Sequence, residues 1–218
     1  MNFSGTIFPA ALALCFSFLS AVSHAVATPP PIASSSPPPV SAPEHPPVEL
    51  RAIDADNRHV LLNRPGKITL VIGTNQDSQD LARAVGRDMY PFQGLRNFQL
   101  IVIADVRDSM ATWVPSLVIS RMRVSLDHEA FALKPHFLKN GNTDDPRKST
   151  CAIADFTGTI CPQLGWSEPS SHLRGILFGV DGRELERWDD LTDMPALQNE
   201  VRKAIHEASA QPKTNSSN

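Results

Sequence analysis

Lys67-Ile68-Thr69-Leu70-Val71-Ile72-Gly73, running into Thr74-Asn75-Gln76-Asp77-Ser78-Gln79, decides how the rest of the chain is read. The first seven residues form a nearly continuous apolar, β-branched run, the pattern of a strand buried on both faces. The residues that follow carry helix-start chemistry. Asp77 is an N-cap three residues before Asp80, and Leu81, Val85 and Met89 repeat behind it at helical spacing. Phe98-Gln99-Leu100-Ile101-Val102-Ile103-Ala104-Asp105 is a second buried strand. Strand, helix and strand in this order predict a βαβ crossover.

Working outward, residues 116–131 read as a helix with Leu117, Val118, Met122 and Leu126 on one face, and a further helical stretch extends to Leu138. Residues 141–148 are polar and turn-rich. Cys151-Ala152-Ile153-Ala154-Asp155 is a short strand, and residues 157–164 suggest a short helix interrupted by Pro162. Residues 173–180 form another strand, Asp181-Gly182 is the strongest hairpin signal, and residues 184–188 return from it. Residues 195–208 close with a helix in which Leu197, Val201 and Ile205 stand four apart. At the other end, residues 48–53 and 59–62 flank the turn residues Asp54-Ala55-Asp56-Asn57 and read as a small hairpin. This order implies an α/β fold with a mixed sheet and helices on both faces.

The chain has 218 residues, 41% apolar and 20% charged, with a net charge of −3. An acidic surplus excludes nucleic-acid binding by bulk charge. Three cysteines are too few for a disulfide-dense scaffold. Residues 1–27 contain no Lys, Arg, Asp or Glu, and an apolar core leads into Ala25-Val26-Ala27. That is the pattern of a secretory signal peptide cleaved after Ala25 or Ala27, although no basic side chain precedes the core; an uncleaved membrane anchor is the rival. Residues 28–47 hold nine of the 19 prolines and read as an extended linker. Residues 48–210 are then the folding unit, and 211–218 a polar tail. The expected location is periplasmic or extracellular, with no membrane span in the mature chain.

The element order, with Asn63-Arg64-Pro65-Gly66-Lys67, Asp155-Phe156-Thr157-Gly158-Thr159-Ile160 before Leu164-Gly165-Trp166, and Ile176-Leu177-Phe178-Gly179-Val180-Asp181-Gly182, resembles the thioredoxin-like superfamily in its peroxiredoxin and membrane-tethered thiol-oxidoreductase branches. The resemblance spans about residues 48–208 and implies a three-layer fold. It also implies a cysteine where the first buried strand meets its helix, and a cis-proline before the strand at 176–180. This chain has Thr74-Asn75-Gln76-Asp77-Ser78-Gln79 at the first place and Arg174-Gly175 at the second. Asn, Gln and Ser carry no electrons in thiol–disulfide exchange. Arg174 stands near where peroxiredoxins keep a peroxide-binding arginine, but its spacing to Asp181 differs.

Cys15 departs with the signal peptide, leaving Cys151 and Cys161. Parity and an exported location favour a structural disulfide between them. Two buried thiols packing as small hydrophobes and a relocated redox pair are the alternatives. His128 and His136 lie two helical turns apart, too far to share a metal ion, and neither a metal nor a cofactor is expected. Arg121, Arg123 and Lys134, with Trp113 and Phe131, form a mildly basic amphipathic segment that is either a core helix with a charged outer face or a partner-binding groove. The sequence therefore points first to a non-catalytic binding or scaffolding module with a protein partner. The alternative is a thiol-disulfide oxidoreductase or peroxiredoxin-like enzyme using Cys151 and Cys161. Nothing in the sequence sets the oligomeric state.

Overall fold

A computed structural model describes residues 48–210. The signal peptide, linker and tail read at 1–27, 28–47 and 211–218 lie outside the described residues. Strands β1 (Arg51–Ile53) and β2 (His59–Leu61) pair antiparallel, with Ala52 opposite Val60. The main sheet has the order β5-β4-β3-β6-β7. Its members are β3 (Ile68–Thr74), β4 (Phe98–Asp105), β5 (Cys151–Asp155), β6 (Arg174–Phe178) and β7 (Glu184–Trp188). The first three run parallel; β6 is antiparallel to β3, and β7 to β6. The fold is the expected α/β arrangement, and its central strand β3 is buried at every residue.

Side chains on a strand alternate between faces, and two cores result. Ile68, Leu70, Ile72 and Leu100 face Val85 of α1 (Gln79–Asp88), its cap Met89, and Leu197 and Val201 of α4 (Met194–Ala210). Val71, Ile101, Ile103 and Ile153 face the opposite way. That second core is closed by Leu62 beside the small hairpin, a 3-10 turn at Cys161–Leu164, and the Trp166 indole. Burying each large aliphatic side chain contributes about 1.5–3 kcal/mol, so the two clusters together dominate the stability of the domain.

Several local expectations change. Ser78, not Asp77, is the N-cap residue of helix α1, without a capping bond from its side chain, because the Asn75 side chain folds the preceding turn and moves the helix start on by one residue. Helix α2 (Pro115–Lys139) is continuous through Pro135. Proline lacks the N–H that would bond the Phe131 carbonyl, and both residues lie on the exposed side of the helix. The buried face of α2 is Leu126, Ala130, Leu133 and Phe137, and Leu117, expected on the core side, is exposed. A short helix α3 (Pro146–Ser149), capped by Asp145, forms within the polar stretch. Among the described residues no helix is long and apolar enough to cross a membrane.

Candidate functional site at the ends of the parallel strands

Strands β3, β4 and β5 end at one edge of the sheet, where open α/β folds present ligand-binding groups. At that edge β3 leads into Thr74 and the loop before α1. The loop is sealed by its own side chains. Ser78 Oγ lies 3.1 Å from Thr74 Oγ1 and accepts from the Asn75 backbone N–H at 3.1 Å. Asn75 Oδ1 accepts from the Asp77 and Ser78 amides at 3.0 and 3.1 Å. Trp166 covers Gly73 so closely that a β-carbon there would stand 2.6 Å from the indole. The loop carries no sulfur and leaves little polar capacity free.

Asp105 and Asp155 stand in register on β4 and β5. Arg107 forks onto both oxygens of Asp105 at 2.9 and 2.7 Å and reaches the Ser167 carbonyl at 2.9 Å. Burial opposes ionisation of Asp105, but the Arg107 hydrogen bonds and the charge of Arg174, on the neighbouring β6, outweigh it and hold the carboxyl below its usual range. Asp155 is almost fully buried and accepts three backbone N–H groups, from Thr159, Ile160 and Cys161, at 3.0, 3.0 and 2.8 Å. This knots the chain back beneath the sheet edge. Gly158, at φ +71°, is required there, since a β-carbon would fall 2.5 Å from Arg107 Cδ.

Cys161 begins the 3-10 turn and Cys151 begins β5; both are free, buried thiols. The disulfide expected from parity is not formed. Cys161 is fastened beside Asp155, at the far end of a strand that advances about 13 Å from Cys151 at ~3.3 Å per residue, whereas a bridge needs α-carbons within about 7 Å. Burial, then the charge of Asp54, pushes the Cys151 thiol up to about 12. Burial, then the carboxylates of Asp105 and Asp155, pushes Cys161 to about 12 despite Arg107. At pH 7 only on the order of one molecule in 10⁵ holds either as thiolate, the form that attacks disulfides or peroxides.

The structure thus separates the two predicted site residues. It gathers instead Asp105, Arg107, Asp155 and Trp166, of which the sequence singles out only Asp155 and Trp166, within the family resemblance at residues 155–166. Arg107 carried no signal, because its value lies in where β4 delivers it. His128 is exposed on α2, and His136 tilts against the Tyr90 ring at 5.1 Å.

No protein-family model and no curated protein matches the chain. Solved structures similar to it include the exposed lipoprotein thioredoxin Etrx1 of Streptococcus pneumoniae, at 11% identity and TM-score 0.46 over 72% of this chain and 99% of that one. StoA of Bacillus subtilis has 10% identity and TM-score 0.44 over 73% and 99%. Copper-bound ScoI of Arabidopsis thaliana has 9% identity and TM-score 0.47 over 75% and 99%.

Proposed function

We propose that this chain is an exported, linker-tethered thioredoxin-like domain that works as a non-catalytic binding or scaffolding module. The observation that carries the reading is the state of the two sulfurs: both are buried, separate and protonated at neutral pH, and the loop between β3 and α1 has none. Thiol exchange needs an accessible thiolate and a second sulfur within reach, and neither condition is met. The leader-like composition of residues 1–27 and the proline-rich stretch behind it support export and tethering.

The outer face of α2 supports the binding half of the reading. Leu117, Val124, Phe131 and Leu138 recur every seven residues and are all exposed, and Trp113 and Met110 continue the stripe beyond the helix start. Trp113 is 87% exposed. An apolar stripe of this length rimmed by polar groups is characteristic of a protein-binding surface. With Arg121, Lys134 and Lys139 along it, the partner it suits is a protein with an apolar, acid-rimmed face.

Insulin-disulfide reduction and peroxide consumption test the first half. Wild type and Cys161→Ser should both stay at the buffer rate; turnover lost in the mutant would install the oxidoreductase alternative through Cys151 and Cys161. For the second half, a photo-crosslinker at position 131 should capture a discrete partner that Trp113→Ala weakens, whereas one at Lys203 should not. Equal capture at both positions would remove the stripe from consideration.

A further inference from the structure

At the opposite edge of the sheet, where β3, β4 and β5 begin, lies a polar cavity of about 180 Å³. Arg64 and Lys67 reach it from the turn before β3, Arg96 from the turn before β4, and Lys148 from α3. Asp144 is the one carboxylate among the lining residues. In a chain whose net charge is −3, four cations meet here with a single acid. None of the four side chains takes an ion pair or hydrogen bond within the described residues. Arg58, Arg107 and Arg147, by contrast, each hold a carboxylate.

A second, independent observation points the same way. Gln93 lines the cavity, is only 7% exposed, and its side-chain amide has no protein partner. Its amide atoms are reached by solvent rather than sealed away, so the amide stays open to a ligand in the cavity. Burial, followed by the neighbouring charge of Arg64, also holds the Lys67 ammonium below its usual range. An anion in the cavity would draw the Lys67 ammonium back toward its usual range.

We propose that this cavity binds a compact phosphate-bearing anion, held by Arg64, Lys67, Arg96 and Lys148 with Gln93 as a neutral donor. Guanidinium forks match phosphate oxygens in pairs, and lysine adds point charge. At about 180 Å³ the space lies below the roughly 300–1,000 Å³ of drug-sized pockets, which suits a single phosphate on a small body. Asp144 favours a body with hydroxyls to donate to it, such as a polyol phosphate. The phosphate has two sources, a soluble monoester or the headgroup of an anionic phospholipid. This site is independent of the sulfur chemistry and of the α2 stripe.

Calorimetry on the purified protein at low salt, with inorganic phosphate and glycerol 3-phosphate as probes, tests the proposal. Saturable binding is expected, weakened at least about tenfold in Arg64→Gln/Lys67→Met, the loss of one charged hydrogen bond or more. Lys203→Met, on α4, should leave it unchanged. Arg96→Gln removes an exposed side chain without touching a core, so it serves if the double variant does not fold. Sedimentation with phosphatidylglycerol vesicles, against phosphatidylcholine, assigns the source: co-sedimentation abolished by the same variants indicates a headgroup, and soluble binding alone a monoester. Absence of saturable binding to every probe, or binding that none of these substitutions alters, overturns the site.

Discussion

The two ends of strands β3, β4 and β5 make opposite uses of charge. At the C-terminal ends the two carboxylates are matched: Asp155 holds three amides, Asp105 holds Arg107, and Arg107 holds two further carbonyls. At the N-terminal ends four cations surround a cavity with one carboxylate among them and no pairing among the described residues. Buried polar networks that are fully satisfied rigidify a fold. Unmatched like charges destabilise it and remain available to a ligand. In this domain the C-terminal edge is a structural knot, and the cluster of unpaired cations lies at the other end.

The comparison breaks first at Asp155. Asp155→Ala orphans three backbone amides; at about 1–3 kcal/mol each, stability should fall by roughly 3 kcal/mol or more. Thermal unfolding should register this as a drop of about 10 °C or as failure to fold, with Asp155→Asn milder. A melting temperature unmoved by the alanine would deny the knot its role. Next comes Gly73→Ala, whose β-carbon would meet the Trp166 ring at 2.6 Å. A cost of about 1–3 kcal/mol is expected, largely recovered in a double variant with Trp166→Leu.

The sulfurs give a smaller effect and a pH signature. Cys151→Ala and Cys161→Ala should each cost about 1 kcal/mol through lost packing, and reductant should not move the melting temperature of the wild type; a shift with reductant would restore the bridge. Both thiols ionise near 12 in the folded protein against 9.0 for an unperturbed thiol. Their folded-state values are raised, so the stability they contribute is complete below about pH 9 and is lost as pH climbs toward about 12. Alkaline denaturation should accordingly come later in the double alanine variant. The smallest expected change has the opposite sign. Arg64→Gln relieves repulsion on Lys67 and should stabilise the ligand-free protein by a few tenths of a kcal/mol, readable in urea midpoints. Destabilisation would mean that Arg64 already has a partner.

Much of the fold was legible. Strands β4 and β5 fall on the residues that periodicity selects, because alternation and β-branching report burial directly, and β7 falls where the Asp181-Gly182 hairpin signal returns the chain. The boundary of α1 shifted by one residue because an asparagine side chain, not helix propensity, ends the preceding turn. The outer face of α2 was misread at Leu117, since apolar residues on both sides of a helix blur its periodicity. Cysteine parity suggested a bridge because counting residues says nothing about which end of a strand each sulfur occupies.

Composition and pattern alone determined the element order, the α/β class and the absence of sulfur from the loop at 74–79, each being a property of neighbouring residues. Tertiary structure decided the separation of Cys151 from Cys161, the capture of three amides by Asp155, and the meeting of Arg64, Lys67, Arg96 and Lys148 around one cavity. Those cations come from two turns and a short helix far apart in sequence, and only parallel strands that start at a common edge bring them together. Local sequence fixes what a segment can form, whereas electrostatic environment depends on distances that exist only once the sheet has closed.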